Sequence, residues 1–451
     1  MQFPGKKLLQ IYKLVRLRVK KLFICTSIGN MDPEKKLVRS ILLAFAVETL
    51  CATWCLKIPG WAPFFSILYF VSGIGIAGLL LRLPAISLPS PRLPSLNPPS
   101  PGKRPWMSLI NQRRLVITGL IALALYSWCL YWFDELPIDI TNADMLPIIK
   151  IMGERFIAGQ HSHVYDTIPS IWNGVQPIYL PAMWLPYVPA ISMGIDMRWI
   201  AIAGLLFAFG TFVFLYRPDI SGRAAFPLAV IAFLLFWWIV ADNTAGIVSV
   251  SEEGVVFGYY TLLVLALLSG KPWLTGIAIS LCMLSRYALV GWIPAYLVYL
   301  ALNKKWRDLS IITLTGISCF VLLFLVPVGW DTFMRLARLP GNYIAFAGRV
   351  WKDSPDVFST APGLAWFFGR KGSAILHGLL ILFSFTLPMV FALSALRRRR
   401  ANIPLATLKL SLVVFYCFID VPYLYLFYTS SLVSLILLAL VIRDEKIAVA
   451  A

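Results

Sequence analysis

The segment at 134–165 holds the residues of this sequence that are best suited to chemistry. It reads DELPIDITNADMLPIIKIMGERFIAGQHSHVY, and it contains five acids and two of the chain's three histidines. A fixed carboxylate can act as a general base that takes the proton of an attacking hydroxyl group. Asp144 and, as second choice, Asp139 are the candidates for this role. Asp144 has a structural alternative, because an acid at this position can also cap a helix that begins at the next residue.

The two histidines of this segment alternate with a serine. If the chain is extended there, His161 and His163 face the same way, and they could bind a phosphate group or a metal ion. The alternative is that they are ordinary polar loop residues. Two histidines with loosely spaced carboxylates make a weak metal signal, so the sequence assigns no metal ligands and leaves a divalent cation open.

Arg286 interrupts the apolar run LCMLSRYALVGWIP. A charge at membrane depth costs about 2.5–3.5 kcal/mol on insertion scales, so an intramembrane arginine predicts an anionic partner such as a phosphate group. Its alternative is a span boundary from which the side chain reaches the lipid headgroups. Glu252 and Glu253 begin a short apolar run on the same side. They could bind acceptor hydroxyls, pair with Arg286 or cap a helix.

A later loop, WDTFMRLARLPGNYIAFAGRVWKDSPDVFST, is rich in basic residues. Arg335 and Arg338 are three residues apart, so a helix would put them on one face. With Arg349 and Lys352 they suit an anionic lipid headgroup or an acidic glycan, and anchoring to headgroups is the plainer alternative. Asp420 is a lone acid between two apolar runs, and the sequence assigns it no role.

The elements that carry these residues must be membrane helices. The chain has 451 residues, of which 59% are hydrophobic and 14% charged, whereas the apolar fraction of soluble domains stays near half. Crossing a bilayer takes about 20 helical residues, and runs near this length predict, with shorter ones, about twelve spans in an all-α polytopic membrane protein. The long runs lie at 37–56, 62–82, 115–133, 198–216, 224–241, 309–328, 373–396 and 423–442, and the shorter ones at 255–269, 273–285, 287–302 and 404–419. The apolar stretch 178–195 carries three prolines and is predicted to lie at the interface or inside the protein.

The net charge of +19 is explained by basic cytoplasmic loops, because lysine and arginine concentrate on that side of a membrane. With both termini in the cytoplasm, the basic stretches KKWRD and RRRR face inward. The dispersed basic residues exclude nucleic acid as a partner. The predicted order is a basic N-terminal segment, a two-span hairpin, a Pro-rich cytoplasmic linker and a ten-span body, at 1–36, 37–82, 83–114 and 115–451, and the body has extracytoplasmic loops at 134–197 and 329–372.

In the placement of these residues the chain resembles the C-type superfamily of membrane glycosyltransferases, which use sugars linked to polyprenyl phosphate. The resemblance covers about 115–330. Asp144 is followed by MLPIIKIMGERFIA, Gly159 and QHSHVY, which ends at Tyr165; then come the Tyr/Pro-rich QPIYLPAMWLPYVP and a span that opens on Arg198. The polar loop ADNTAGIVSVSEEG, the outward-facing Arg286 and the basic loop NKKWRD complete it. The acidic-aromatic loop start that is usual in the family is loosened here, which is why Asp139 stays a candidate.

The resemblance implies a fold like that of this superfamily, with interfacial helices in the first large loop. It implies an inverting transfer from a polyprenyl-phosphate sugar to a lipid, glycan or protein acceptor on the extracytoplasmic side, with Asp144 as base and membrane lipids as partners. The donor phosphate is assigned to Arg286, Arg335, Arg338 and Arg349, and substrate binding to His161, His163, Tyr165, Glu252 and Glu253. The expected location is the bacterial inner membrane.

Two other functions remain open. A transporter or flippase of lipid-linked sugars would need charged or broken helices near the bilayer midplane, whereas most acidic residues here lie on the predicted extracytoplasmic side. A polysaccharide polymerase or ligase that uses lipid-diphosphate donors would share the same arginines. The chemistry of the donor, monophosphate or diphosphate, separates this last class from the first.

Overall fold

The computed structural model of the chain describes residues 33–86, 123, 126–171, 174–215, 225–241, 251–337 and 343–444. This part of the chain is all-α: it contains no β-strand, only one isolated bridge between Ile168 and Val175. The all-α part of the fold class predicted from the sequence is therefore confirmed. The basic N-terminal segment up to residue 32 and most of the Pro-rich linker lie outside the described residues.

Fourteen helices of eight or more residues are numbered here in chain order. They are α1 Pro33–Trp54, α2 Ala62–Leu80, α3 Met145–Ile157, α4 Arg198–Leu215, α5 Ala225–Ala241, α6 Glu253–Ser269, α7 Pro272–Met283, α8 Trp292–Leu302, α9 Trp306–Phe320, α10 Trp330–Ala337, α11 Tyr343–Asp353, α12 Ser373–Arg397, α13 Ile403–Phe418 and α14 Tyr425–Asp444. A further helical segment at 126–135 carries no number.

Six of the described helices are long and apolar enough to cross a membrane, as expected of a membrane protein. They are α1, α2, α4, α9 with its extension to residue 328, α12 and α14. Five shorter apolar helices, α5, α6, α7, α8 and α13, accompany them. Helices occur at every predicted span, although at 115–133 only residue 123 and those from 126 onward are described. The figure of about twelve spans stays a prediction.

Helix α14 is the central helix of the bundle. In its apolar stretch 94% of the residues are buried inside the protein, and it packs against α1, α4, α5, α6 and α13. A helix that is apolar all round and still carries Thr429, Ser430 and Ser434 needs partners for these hydroxyl groups. Those partners come from α1, α6 and α13.

Helices α4 and α6 approach each other closely because glycines form the contact. A Cβ atom added to Gly204 would meet the backbone carbonyl of Gly254, and one added to Gly254 would meet the carbonyl of Ala201. Small residues allow the backbones of membrane helices to touch in this way. This contact fixes the first turn of α6, which begins with Glu253.

The N-terminal hairpin packs directly on the body. Helix α2 lies against α13, and α1 lies against α14. Nζ of Lys409 on α13 lies 2.5 Å from Oε1 of Glu48 on α1, and neither side chain is exposed. The hydroxyl groups of Ser430 and Ser434 donate to the two oxygens of Glu48 at 3.1 and 3.0 Å. This buried ion pair with its serines ties the hairpin to the body.

The first large loop is held by two arginines. Arg198, almost fully buried at the start of α4, pairs with Asp196 at 2.6 Å and donates to the carbonyl groups of Phe133 and Leu136. Arg155 on α3 donates to the carbonyl groups of Asp166 and Thr167 at 2.6 and 3.2 Å. Both arginines therefore hold the backbone of the first large loop, which contains Asp139, Asp144 and the two histidines.

The stretch 178–195 forms no span, in agreement with the prediction. Its helical turns Pro181–Trp184, Leu185–Tyr187 and Val188–Ser192 are too short to cross a bilayer, and they pack on α3. The prolines at 181, 186 and 189 each stand in a first turn, where a missing N–H costs no helical hydrogen bond.

Candidate functional site

A buried ion-paired cluster lies where α6 begins and α7 ends. Arg286, in the non-helical stretch after α7, donates from Nη2 to Oε1 of Glu252 at 2.8 Å and also contacts Oε1 of Glu253. Both glutamates are almost fully buried, and 18% of the Arg286 side chain is exposed. The pairing that the sequence left as one alternative for Glu252 and Glu253 is therefore the one found.

The position of Arg286 follows from the local sequence. Helix α7 ends at Met283, two residues before the end of the predicted span, and the backbone of Arg286 is extended. Its guanidinium lies over the ring of Tyr425, 5.9 Å from the centroid, a geometry that favours a cation on an aromatic face. The hydroxyl of Thr429 donates to Oε2 of Glu253 at 3.3 Å. The first two turns of α14 thus complete the cluster.

Asp144 lies close to this cluster. It occupies the N-cap position of α3, yet its side chain accepts no hydrogen bond from the amides of that described helix. Its carboxylate interacts electrostatically with Glu252, Tyr179 and Tyr423. Burial raises the pKa of Glu252, the guanidinium of Arg286 opposes the rise, and the charge of Asp144 adds to it. Asp144 and Arg286, 142 residues apart in sequence (286 − 144), therefore share one neighbourhood.

We call this region, formed by the starts of α6 and α14, the end of α7 and residues 419–424, the site end of the bundle. Several buried polar atoms that lack a hydrogen-bond partner among the described residues lie in or next to this region. Native proteins leave few buried polar groups unpaired, so these atoms are available to a ligand. The atoms are Oε2 of Glu252, Nε of Arg286 and the hydroxyl oxygens of Tyr187, Tyr260 and Tyr416.

An apolar cavity of about 460 Å³ adjoins Arg286. Leu284 and Tyr287, on either side of Arg286 in the chain, belong to its wall, and Phe333 and Leu336 of α10 cover it. The rest of the wall comes mainly from α7, α8 and α9 and from the π-helical turn Val321–Leu325 that follows α9. The cavity can hold a hydrocarbon chain, because its lining is almost entirely apolar.

Asp139, the second candidate base, is exposed to solvent. Its Oδ1 accepts a hydrogen bond from the backbone N–H of Thr141 at 2.8 Å, and this bond lowers the pKa of the Asp139 carboxyl. A carboxylate with a lowered pKa is a weaker base, and this one is occupied in holding its own turn. The geometry therefore favours Asp144 over Asp139.

The histidine segment differs from the expected extended chain. Residues His161–His163 form a single 3₁₀ turn, so the two rings do not face the same way. His161 packs edge-on against Phe156, with ring centroids 4.6 Å apart, and its Nδ1 lies 3.2 Å from the carbonyl oxygen of Pro327. His163 pairs with Asp166 at 2.6 Å. The prediction of a shared histidine face is wrong, because the turn rotates successive side chains by about 120°.

Tyr165 and Arg335 hold the same segment in place. The buried hydroxyl of Tyr165 donates to the carbonyl of Tyr179 at 2.9 Å and accepts from Nε1 of Trp184 at 3.0 Å. Arg335 of α10 pairs with Asp166 at 3.2 Å and donates to the carbonyl of Ser162 at 3.1 Å. Arg335 therefore clamps α10, the cover of the cavity, to the first large loop.

Two other basic residues of the second loop, among those that the structure describes, do not join the cluster. Arg349 and Lys352 are exposed on α11. Arg338 lies outside the described residues. Among the described residues no group of three or more His, Cys, Asp and Glu side chains could hold a metal ion.

Sequence reasoning missed one histidine–aspartate pair at the site end. Nδ1 of His377, in the second turn of α12, lies 2.7 Å from Oδ2 of Asp420 in the turn after α13. The sequence marks Asp420 as a lone acid and does not single out His377. A histidine in an apolar run together with an acid at a span boundary was the available signal, but the sequence does not show that the two meet.

Comparison with models of known protein families, with curated protein sequences and with solved protein structures finds no match to this chain.

Proposed function

We propose that this protein is a membrane glycosyltransferase that transfers a sugar, with inversion, from a polyprenyl-phosphate donor to a lipid, glycan or protein acceptor. The observation that carries the proposal is the meeting of Asp144 with the Arg286 cluster beside an apolar cavity at the site end. A base, a cation and a place for a hydrocarbon chain are what such a reaction needs, and they lie together here.

In this reaction the oxygen of an acceptor hydroxyl attacks the anomeric carbon of the donor sugar. The bond between that carbon and the phosphate oxygen breaks with its electron pair, and Asp144 takes the proton of the hydroxyl. A positioned base of this kind accelerates proton transfer by about 10²–10⁴-fold. The phosphate leaves as a polyprenyl monophosphate with one more negative charge, so a cation must face it.

Arg286 is the cation of this cluster, and its Nη2 is already engaged by two carboxylates. Its Nε–H has no acceptor among the described residues and can donate to a phosphate oxygen. The raised pKa of Glu252 favours a neutral carboxyl beside an incoming anion. A neutral Glu252 would reduce repulsion and could donate a hydrogen bond to that anion.

The cavity next to Arg286 supplies the place for the lipid part of the donor. Leu284 and Tyr287 line it while Arg286, between them, faces the cluster. A prenyl chain in the cavity would therefore bring its phosphate close to the guanidinium. Among the described arginines that were assigned to the phosphate, we keep Arg286, because Arg335 pairs with Asp166 and Arg349 is exposed on α11. Arg338 lies outside the described residues.

The test is transfer by the purified full chain in lipid nanodiscs. Radiolabelled sugars linked to polyprenyl monophosphate, to polyprenyl diphosphate and to nucleotides are offered with membrane lipid extract as acceptor. We expect transfer from the monophosphate donor alone. Transfer from the diphosphate donor would identify a polymerase or ligase, and transfer from the nucleotide would overturn the proposal.

Asp144→Asn should lower the transfer rate by about 10²-fold or more, since the base is lost while the shape is kept. Its melting temperature and its binding of polyprenyl phosphate should stay as in the wild type. Asp353→Asn is the matched control, because Asp353 is an exposed acid at the end of α11. If Asp144→Asn transfers sugar at the wild-type rate, Asp144 is not the base.

The second candidate is a transporter or flippase of lipid-linked sugars, which one observation favours. The Glu48–Lys409 pair is fully buried among apolar helices, as charged groups of transporters are. The protein in liposomes with a fluorescent lipid-linked sugar separates the two functions: a transporter moves the lipid between leaflets without forming a new glycosidic bond.

A further inference from the structure

His377 and Asp420 form a carboxylate–imidazole pair at the site end that the proposed reaction does not use. An ionised Asp420 can only accept, so with that carboxylate the proton lies on Nδ1 of His377, and the contact holds the direction of the ring. Nε2 of His377 makes no hydrogen bond within the described residues, and 17% of the side chain is exposed. The pair is thus fixed on one side and accessible on the other.

The second oxygen of Asp420 is the unusual feature. Asp420 is only 5% exposed, and its Oδ1 has no hydrogen-bond partner within the described residues. A buried carboxylate oxygen that accepts no hydrogen bond is costly, so a donor is expected to reach it. Burial raises the pKa of Asp420, and the hydrogen bond from His377 opposes the rise.

The pair lies close to the Arg286 cluster. Tyr343, the first residue of α11, interacts electrostatically with both Arg286 and Asp420. Tyr343 therefore links Asp420 with the neighbourhood of Arg286.

The chemistry of Oδ1 restricts what can bind. A phosphate or another anion is repelled by a carboxylate oxygen, and a metal ion needs more oxygen ligands than this single carboxylate offers. A hydroxyl group is neutral, donates one hydrogen bond and leaves its own oxygen free for a neighbour such as Nε2–H or Nε2 of a histidine.

We propose that Asp420, oriented by His377, binds a hydroxyl group of a sugar at the site end. The sugar is either the one being transferred or that of the acceptor, and this identification rests on the proposed glycosyl transfer. Asp420 contributes a binding contact, and His377 is a positioning residue that acts through it.

The first experiment observes the pair directly. The chain has three histidines, so protein with ¹⁵N-labelled histidine in nanodiscs gives three imidazole spin systems, which His161→Gln and His163→Gln assign. A panel of methyl glycosides, each to about 100 mM, and polyprenyl monophosphate are then titrated separately. We expect at least one glycoside to shift the His377 signals and polyprenyl phosphate to leave them unchanged. No shift with any glycoside, or a shift with the phosphate alone, overturns the proposal.

The second experiment measures binding in variants. Asp420→Asn should weaken binding of the active glycoside by about 10-fold or more, because a hydrogen bond to a charged acceptor is lost. His377→Asn keeps an N–H near the position of Nδ1 and should bind nearly as the wild type, whereas His377→Phe should behave like Asp420→Asn. Asp353→Asn is the control. Equal binding by Asp420→Asn and the wild type overturns the proposal.

Kinetics identify the source of the hydroxyl. A raised KM for the donor alone places the donor sugar at Asp420, and a raised KM for the acceptor alone places the acceptor there. A fall in kcat with both KM values unchanged overturns a binding role. If the wild type transfers no sugar from any lipid donor but glycosides still shift His377, the proposed glycosyl transfer is wrong and the hydroxyl subsite stands.

Discussion

At the scale of single residues, the cluster around Arg286 carries more negative than positive groups. Two buried glutamates share one guanidinium, and Asp144 adds a third carboxyl close by. Moving charges out of water costs several kcal/mol per ion, even when they are paired. Such an arrangement is expensive for stability alone and is typical of sites where function retains the charges.

Because carboxylates are in excess in this cluster, the protonation of Glu252 should make the stability of the protein depend on pH. Its pKa is raised above the ordinary value of 4.5, mainly by burial. The folded chain therefore holds this proton more tightly than the unfolded chain, so the contribution to stability is present below pH 4.5 and is lost as the pH rises through the raised pKa. Glu252→Gln cannot titrate. The melting temperature of the wild type minus that of Glu252→Gln should fall as the pH rises from 4.5.

Asp166 is the control, because its contribution to stability depends on pH in the opposite direction. The hydrogen bond from His163 lowers the pKa of Asp166, and Arg335 adds to the effect. The contribution of Asp166 is therefore present above its ordinary value of 3.8 and is lost as the pH falls. The difference between the wild type and Asp166→Asn should fall on acidification, by a small amount because these groups are exposed. A flat difference for Glu252→Gln would contradict the burial argument.

The sequence indicated the members of the site better than their pairings. Arg286 and Glu252 stand out because a charge within an apolar run needs a partner. The Glu48–Lys409 and His377–Asp420 pairs were missed because their members come from different elements, 361 and 43 residues apart. Nothing in either local pattern specifies which helices will be neighbours. His161 and His163 were misjudged because a local 3₁₀ turn, and not an extended strand, follows Gln160.

At the scale of helices, the sequence was most informative where apolar runs were long. Length and composition were enough to predict α1, α2, α4, α12 and α14, whereas the early end of α7 at Met283 depends on tertiary contacts of Arg286. For the amphipathic α10 and α11 in the second loop, the sequence predicted only that a helix would put Arg335 and Arg338 on one face. The packing partners of each helix could not be predicted, because the sequence of an apolar helix does not specify which other helices it will contact.

The contact between α4 and α6 predicts a sharp difference between two glycines of α4. Gly204→Ala places a methyl group against the backbone of Gly254, which cannot move aside as a side chain can. We expect a loss of about 1–3 kcal/mol from overpacking and reduced transfer, since the first turn of α6 carries Glu253. Gly210→Ala is the matched control, because a Cβ there meets nothing within 4 Å. It should be neutral or stabilising by up to about 1 kcal/mol. Equal melting temperatures for the two variants would contradict the close contact.

The buried pair between α1 and α13 predicts non-additive effects. Glu48→Leu leaves Lys409 buried without its partner, and Lys409→Met leaves Glu48 in the same position. Each single change should cost about 3–5 kcal/mol, while the double variant should recover most of the loss. Thermal melting of the wild type, the two single variants and the double variant in one detergent gives the coupling free energy between the two side chains. Additive losses would show that the two side chains do not depend on each other.

At the scale of the whole molecule, the distribution of charge predicts which end faces the cytoplasm. The basic residues at 304–305 and 397–400 lie in the turns after α8 and α12, at the end of the bundle opposite the site end. Asn402 hydrogen-bonds to the carbonyl oxygens of Leu80, Leu83 and Pro84, so the end of α2 lies there too. Lysine and arginine favour the cytoplasmic side, so the site end is expected to face away from it.

Cysteine labelling in intact cells tests this orientation. The seven native cysteines are replaced, and single cysteines are introduced as Asp353→Cys in α11 and Arg398→Cys in the basic turn; both positions are exposed. A membrane-impermeant maleimide should label Cys at 353 in intact cells and Cys at 398 only after permeabilisation. The reverse pattern would place Asp144 and Arg286 at the cytoplasmic face, where nucleotide-linked sugars are available. The location of the site would then no longer favour a polyprenyl-phosphate donor over a nucleotide-linked one.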